Sequence, residues 1–391
     1  MLFNKKMPHI VIASNAYKNS LSASVAAEAI NAGLKKSKLS CTTACVPVGD
    51  GGDGTALLLS KYLKAKARYY QTINAIGKSI QAPVYYTKNN TIAIIELADA
   101  SGLKLLKPDQ YAPLHANTRG TGILIKRALN RNVKKLILAI GGSATIDAAT
   151  GILSALGARF LTKKDTVIED LPGGLVHLHR IDTTKLHPRV HQTEIIVLCD
   201  VKNKLLGSKG AARMFGPQKG ASHRDIAQLE RILRKVDNVI YQQYGHRISQ
   251  QPFSGAAGGV AATMTALVKA TAMNGIHYFL ESIHFGNHLK KADLVITGEG
   301  AIDLQTLEGK APFGVALAAK KKGIPVIAMG GRIDDESRKL KRYFTELISI
   351  NKKNATLNLA LKQTETNLKK AAKKLGDQLV QQFPGPPRPK K

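Results

Sequence analysis

The run VITGEGAIDLQTLEGKAP (residues 295–312) sets three acids, Glu299, Asp303 and Glu308, beside the Thr306 hydroxyl, the Lys310 ammonium and several glycines. Carboxylates, a hydroxyl, a lysine and backbone amides are what phosphoryl transfer uses: a metal site, neutralisation of phosphate charge and a base for the attacking hydroxyl. Solvated surface salt bridges would leave a similar charge pattern. Glu299 and Asp303 lie four apart, as on one face of a helix, yet the glycines around Glu299 favour a loop there. In GDGGDGT (residues 49–55), Gly51, Gly52 and Gly54 surround Asp53 and precede Thr55. Glycines let a backbone approach phosphate closely. A carboxylate beside phosphate repels it unless a cation intervenes, so Asp50 and Asp53 fit Mg²⁺, which takes one or two carboxylates plus phosphate oxygens. A tight turn with an Asp cap is the structural alternative, and it leaves the second aspartate without a role.

Three further segments carry related chemistry. In AIGGSATIDAATG (residues 139–151), Gly141, Gly142, Ser143 and Thr145 can cradle an anion, with Asp147 two residues on. The stretch from LCDVKNKLLG to FGPQKGA (residues 198–221) adds Asp200 after a strand-like run and Lys219 between a proline turn and a glycine. In SNAYKNSLSA (residues 14–23), Ser20 or Ser22 suits a helix N-cap, and Lys18 beside helix N–H groups suits an anion. Neither GxxxxGK[ST] nor a supported GxGxxG is present, which excludes a P-loop NTPase and gives no dinucleotide fingerprint.

The elements that position these residues alternate. HIVIAS ends in serine; TTACVPVG, KKLILAIGG, TEIIVLCD, DLVITGEG and IPVIAMGG end in glycine or acid, and most are followed by helical patterns. Uninterrupted apolar runs with helical crossovers predict largely parallel α/β sheets, with ligands at the carboxyl ends of strands. Residues 69–100 break the rhythm: three β-rich runs follow one another across Gly-Lys and Asn-Asn turns, as in an antiparallel insertion. The expectation is two α/β domains. One is discontinuous, with a mainly parallel sheet, over residues 1–65 and 288–384; the other, partly antiparallel, is inserted over 66–287. The Pro-rich tail 385–391 is expected to be disordered.

The 391 residues, 44% hydrophobic, suffice for two cores. A formal charge of +31 is spread along the chain, and aromatic residues make up 5% with no Trp, so no specific nucleic-acid partner is expected. No apolar run suits a membrane span or a signal peptide, and three cysteines without a CxxC pair suit a reducing compartment, so a cytoplasmic protein is expected.

Taken in order, KNSLSA, GDGGDGT, ELADASGL (residues 96–103), NTRGTG (residues 117–122), GGSAT with Asp147, FGPQKGA and GEGxxDxQTxxGKAP resemble the bacterial type I glycerate kinase family from about Ile10 to Gly330. The resemblance implies ATP-dependent, Mg²⁺-assisted phosphorylation of D-glycerate to 2-phosphoglycerate, with 3-phosphoglycerate the other possible product. On that reading Asp50, Asp53, Glu299 and Asp303 serve the metal. Ser143, Thr145 and the glycine amides hold phosphate, assisted by Asn15, Ser20, Thr55 and Thr306. Lys18, Lys219 and Lys310 neutralise anionic oxygens, and Asp147 or Asp200 is the base. The chain departs from the family pattern at Asn15, where the family usually has an acid, at Ile146, Ala148 and Ala149, where Asn and two glycines are usual, and at Ala301, where Arg is expected. A kinase of another small hydroxy acid, and a degenerate member that binds polyanions or regulates, are the alternatives.

Overall fold

The computed structural model describes residues 7–334, 338–352 and 354–382; the expected tail, 385–391, lies outside them. The chain divides into two compact units, residues 1–50 with 276–391, and residues 51–275. The first opens with β1 (His9–Ser14), α1 (Ala23–Lys35) and β2 (Thr42–Cys45). The second unit carries α2 (Thr55–Tyr62), β3 (Lys66–Ile73), β4 (Ser79–Tyr86), β5 (Ile92–Glu96), α3 (Ala98–Ser101), α4 (Arg119–Asn130), β6 (Lys135–Ala139) and α5 (Thr150–Ala155). It continues through β7 (Arg159–Leu161), β8 (Arg180–Asp182), β9 (Glu194–Cys199), α6 (Ala211–Phe215), α7 (His223–Tyr244), α8 (Val260–Val268) and β10 (Thr271–Asn274). The first unit resumes at Ile276, inside α9 (Gly275–Ser282), and continues with α10 (Phe285–His288), β11 (Leu294–Ile302), α11 (Ala311–Lys320), β12 (Val326–Ile333), β13 (Glu346–Ser349) and α12 (Leu357–Leu379).

Among the described residues, the first unit's strands form one parallel sheet in the order β13-β12-β11-β1-β2. Ile10, Val11, Ile12 and Ala13 are all buried, as a strand covered on both faces requires. One cover is α1 packed on α12, and they approach closely because Gly33 of α1 has no side chain: a Cβ there would sit 2.7 Å from that of Ala372. Ser22 caps α1, accepting from the Val25 N–H, while Ser20 donates to the Leu361 carbonyl of α12 at 2.7 Å.

The loop expected around Glu299 is instead strand: β11 runs on through Gly298, Glu299 and Gly300, with Glu299 opposite Gly330 and Ala301 opposite Arg332 of β12. The glycine serves close approach rather than a turn, since a Cβ on Gly298 would lie 2.5 Å from the Met329 carbonyl and from the Tyr17 hydroxyl.

In the second unit the order is β10-β9-β6-β5-β4-β3, parallel from β10 to β5 and antiparallel for β4 and β3. The fold class expected from sequence is thereby met, including the consecutive hairpins of the inserted segment. A continuous core of Leu, Ile, Val and Ala joins this sheet to α4, α5, α7 and α8. Each fully buried Leu or Ile contributes roughly 1.5–3 kcal/mol of transfer free energy.

Candidate active site

In the second unit, three of the segments meet at the carboxyl ends of parallel strands. The Gly141 N–H donates to the Gly51 carbonyl at 2.8 Å. A Cβ at Gly141 would collide with Gly52, one at Gly142 with the Asp53 carboxylate, and one at Gly51 would reach 2.8 Å from the Leu198 carbonyl at the end of β9. GDGGDGT, GGSAT and the strand leading to Asp200 are therefore packed backbone against backbone, and the glycines are what permit it. Asp200 follows β9 and is partly exposed. Lys219 is 3% exposed, and its Nζ donates to Ser143 Oγ at 2.8 Å and to the Thr145 carbonyl at 2.7 Å. A buried ammonium thus lies directly under the loop proposed to cradle an anion.

Some expected anion donors have other partners. The Gly51 N–H goes to Thr55 Oγ1 at 3.0 Å, and the Gly54 and Ala56 N–H groups go to the two Glu96 oxygens at 2.9 and 3.1 Å. Glu96, at the end of β5, was not singled out as a site residue in the sequence, although it opens the ELADASGL motif. Burial, reinforced by Asp99, raises its pKa to about 7, while Lys104 and the two amides oppose the shift. The same motif secures GGSAT: Ala144 N–H donates to Ser101 O, and Leu103 N–H to Gly142 O. The sequence signal that could have raised Glu96 is an acid closing an apolar strand, Ile92–Glu96, which marks a candidate at a strand's carboxyl end without naming its partners.

Asp147 faces inward. It is fully buried and its Oδ2 accepts from Thr118 N–H, Thr118 Oγ1 and Gly151 N–H at 2.8, 2.7 and 3.1 Å. Burial raises its pKa against the pull of the Thr118 hydrogen bonds. Its neighbours Ala148 and Ala149 have φ of 49° and 59°, left-handed backbone that glycine adopts without cost.

In the first unit, β1 lies between β11 and β2, and the ends of the three bring Asn15, Asp50 and Glu299 together. Asn15 Nδ2 donates to Asp50 Oδ2 at 3.0 Å, and Thr306 Oγ1 donates to Glu299 Oε1 at 3.0 Å. Burial first, then repulsion from Asp50 and Asp303, raises the Glu299 pKa to about 8 against the attraction of Lys310. Tyr17, buried with its hydroxyl on the Met329 carbonyl at 2.7 Å, has its pKa pushed upward by burial and by Glu299. Asp303 caps the turn that follows β11, accepting from the Gln305 N–H at 2.9 Å, and Arg332 lies 3.6 Å from it. Lys310 stands at the start of α11, and Lys18 is exposed, its backbone N 3.6 Å from where a Cβ of Gly300 would be.

Among the described residues no group of three or more His, Cys, Asp or Glu side chains could hold a metal ion unaided. Mg²⁺ does not need one, because it usually keeps waters and substrate oxygens beside one or two carboxylates. Asp50 and Glu299 fit that requirement: their mutual repulsion raises the Glu299 pKa, and a cation reverses that effect.

A model of the glycerate kinase family matches residues 10–380. The chain belongs to the glycerate kinase family. It is 37% identical over 370 residues to a glycerate kinase of Halalkalibacterium halodurans, covering 94% of this chain and 97% of that one. It is 36% identical to the glycerate 2-kinase of Escherichia coli K12, covering 95% and 98%. A crystal structure from Salmonella typhimurium LT2 carrying the assignment glycerate kinase 2 superposes with a TM-score of 0.78 at 35% identity, over 96% of this chain and 99% of that one. Among the described residues no helix is long and apolar enough to cross a membrane.

Proposed function

We propose that the chain transfers the γ-phosphoryl group of ATP to a hydroxyl of D-glycerate, releasing ADP and 2-phosphoglycerate. The observation that carries this reading is the convergence of the GDGGDGT and GGSAT loops over buried Lys219 at the strand ends of the second unit. The names of the relatives support glycerate as acceptor, and that of the E. coli relative favours the 2-position.

In the reaction the glycerate hydroxyl oxygen attacks the γ-phosphorus, the bond to the ADP oxygen breaks, and the hydroxyl proton passes to a carboxylate. We assign that carboxylate to Asp200, which is partly exposed, and assign Asp147, fully enclosed by Thr118 and Gly151, to holding its loop. Lys219 fixes Ser143 and Thr145 and sets a positive charge beneath them; in the first unit Lys18 and Lys310 offer point charges to anionic oxygens. Asp50 and Glu299 would hold Mg²⁺, which when bound supplies neutralisation of phosphate charge. Asp53, against Gly142, and Asp303, capping its turn, shape their loops.

The test is ADP formation by the purified chain across a panel of hydroxy acids, with and without a chelator. Turnover is expected only with D-glycerate and a divalent metal together. Full activity in the chelator would remove the metal assignment, and activity on another hydroxy acid but not on D-glycerate would remove the substrate.

A further inference from the structure

At the far end of the second unit's sheet lies a groove of about 1030 Å³ that the reaction above does not use. It runs past the α2–β3 turn, the edge strand β3, the β4–β5 turn and the end of α4, and is lined by Lys64, Lys66, Arg68, Lys88 and Arg131 with no carboxylate among its lining residues. These cations gather at the amino end of β5, near Ile92, whereas Glu96 and the candidate active-site loops stand at its carboxyl end. At about 3.3 Å per residue the two places are on the order of 13 Å apart along that strand.

Basic residues on an edge strand are enough to discourage edge-to-edge pairing, and Lys66 and Arg68 could be explained that way alone. That explanation does not reach the floor of the groove. Lys66 pairs with Tyr86 across the β3–β4 ladder, so their side chains share a face. The Arg131 guanidinium lies over the Tyr86 ring, 5.2 Å from its centre. Tyr86 is 5% exposed; its hydroxyl and that of Tyr70 are buried facing only each other, which leaves one O–H donor of the pair, and Arg131 Nε, without an acceptor. Buried polar groups are nearly always satisfied, and a cluster of unsatisfied ones signals a missing partner. These groups can all donate, the charges around them are all positive, and the space is that of a small organic ligand.

We propose that this groove binds a small molecule carrying two or more phosphate groups, with phosphate oxygens accepting from Arg131 and Tyr86 and the surrounding lysines neutralising the remainder. Guanidinium and ammonium groups are the usual partners of such oxygens. Nothing in this proposal depends on the identity of the phosphoryl acceptor at the other end of the sheet.

Calorimetric titration of the full chain with inorganic tripolyphosphate near 0.15 M salt tests it. Replacing Lys64→Gln together with Lys88→Gln is expected to weaken binding about tenfold or more, whereas Lys290→Gln with Lys291→Gln, which removes the same charge from the first unit, changes it less than about twofold. Tyr86→Phe is expected to weaken binding at least about threefold while changing the ligand-free melting temperature little, because the lost hydroxyl faces only that of Tyr70 there. Glycerate-dependent turnover is expected to be unchanged in all three variants. Equal losses in the two lysine pairs would reduce the effect to general charge and overturn the site, as would unchanged affinity in both the Lys64/Lys88 and Tyr86 variants. Citrate competing as strongly as tripolyphosphate would overturn the phosphate assignment, and a duplex oligonucleotide displacing tripolyphosphate at lower concentration would overturn the small-ligand assignment.

Discussion

Glu96 and Glu299 invite comparison because they share a residue type, a burial state and a direction of pKa shift while facing different partners. Each ends or interrupts an apolar strand, each is less than a tenth exposed, and burial raises their pKa values to about 7 and about 8 respectively. Glu96 receives two backbone N–H groups and lies 3.5 Å from Lys104, which makes it the cap of α2 and the brace of the GDGGDGT loop. Glu299 receives one hydroxyl and faces Asp50 and Asp303 as well as Lys310. Two amides fill the lone pairs of Glu96 and tie it to its loop, whereas Glu299, with a single hydroxyl, keeps lone pairs for the cation proposed above.

The sharpest way to break that contrast is to truncate the brace. Glu96→Ala strands the buried Ala56 N–H and the half-buried Gly54 N–H, so a loss of about 2 kcal/mol in denaturant-measured stability is expected. A loss under about 0.5 kcal/mol, inside the ordinary surface range, would show that the cap does not support the loop.

Glu299→Gln is expected to act oppositely, keeping or raising stability while slowing turnover on the order of 100-fold, or about 2.7 kcal/mol of transition-state stabilisation. The pH dependence sharpens the point. Because folding raises this carboxyl from 4.5 to about 8, the native state holds a proton that the unfolded chain releases. Its contribution is full below about pH 4.5 and is lost as pH rises through about 8. Wild type without metal should therefore lose stability over that window relative to Glu299→Gln. Parallel curves for the two proteins would place Glu299 in an ordinary solvated setting.

A smaller effect is expected at Asn15. Its amide donates to Asp50, so Asn15→Asp sets a second carboxylate at 3.0 Å from the first, and only the electrostatics of the pair change. A change in kcat/KM of less than about tenfold, roughly 1.4 kcal/mol, is expected. A gain of several orders of magnitude would instead mark this chain as drifted from catalysis.

Smallest of all is Ala149→Gly. Relief of a left-handed alanine, worth about 1–2 kcal/mol, is offset by the lost buried methyl and the greater freedom of glycine when unfolded. The net change in stability should lie within about 0.5 kcal/mol of zero. A loss near 2 kcal/mol would contradict the left-handed backbone there.

The fold was legible where local pattern decides it. Apolar runs marked the strands, Gly77-Lys78 and Asn89-Asn90 marked the hairpin turns, and Ser22 was one of two serines offered as cap. What escaped was tertiary. Nothing near Glu96 in sequence names the amides of Gly54 and Ala56, about forty residues away, as its partners. Ser20 is claimed by α12, 341 residues on, and Asp147 by Thr118, 29 residues back, through contacts that local sequence does not name either. Glycines beside Glu299 suggested a loop because a turn and a close strand approach both require the missing Cβ, and only the position of Tyr17 and Met329 distinguishes them.

The reaction itself is tested most directly by phosphorus NMR of the chain incubated with ATP, Mg²⁺ and D-glycerate. Loss of the γ-phosphate signal matched one for one by ADP and by a phosphomonoester coupled to the C2 proton of glycerate is the predicted result. ADP accompanied only by inorganic phosphate, or an unchanged ATP spectrum, would contradict it.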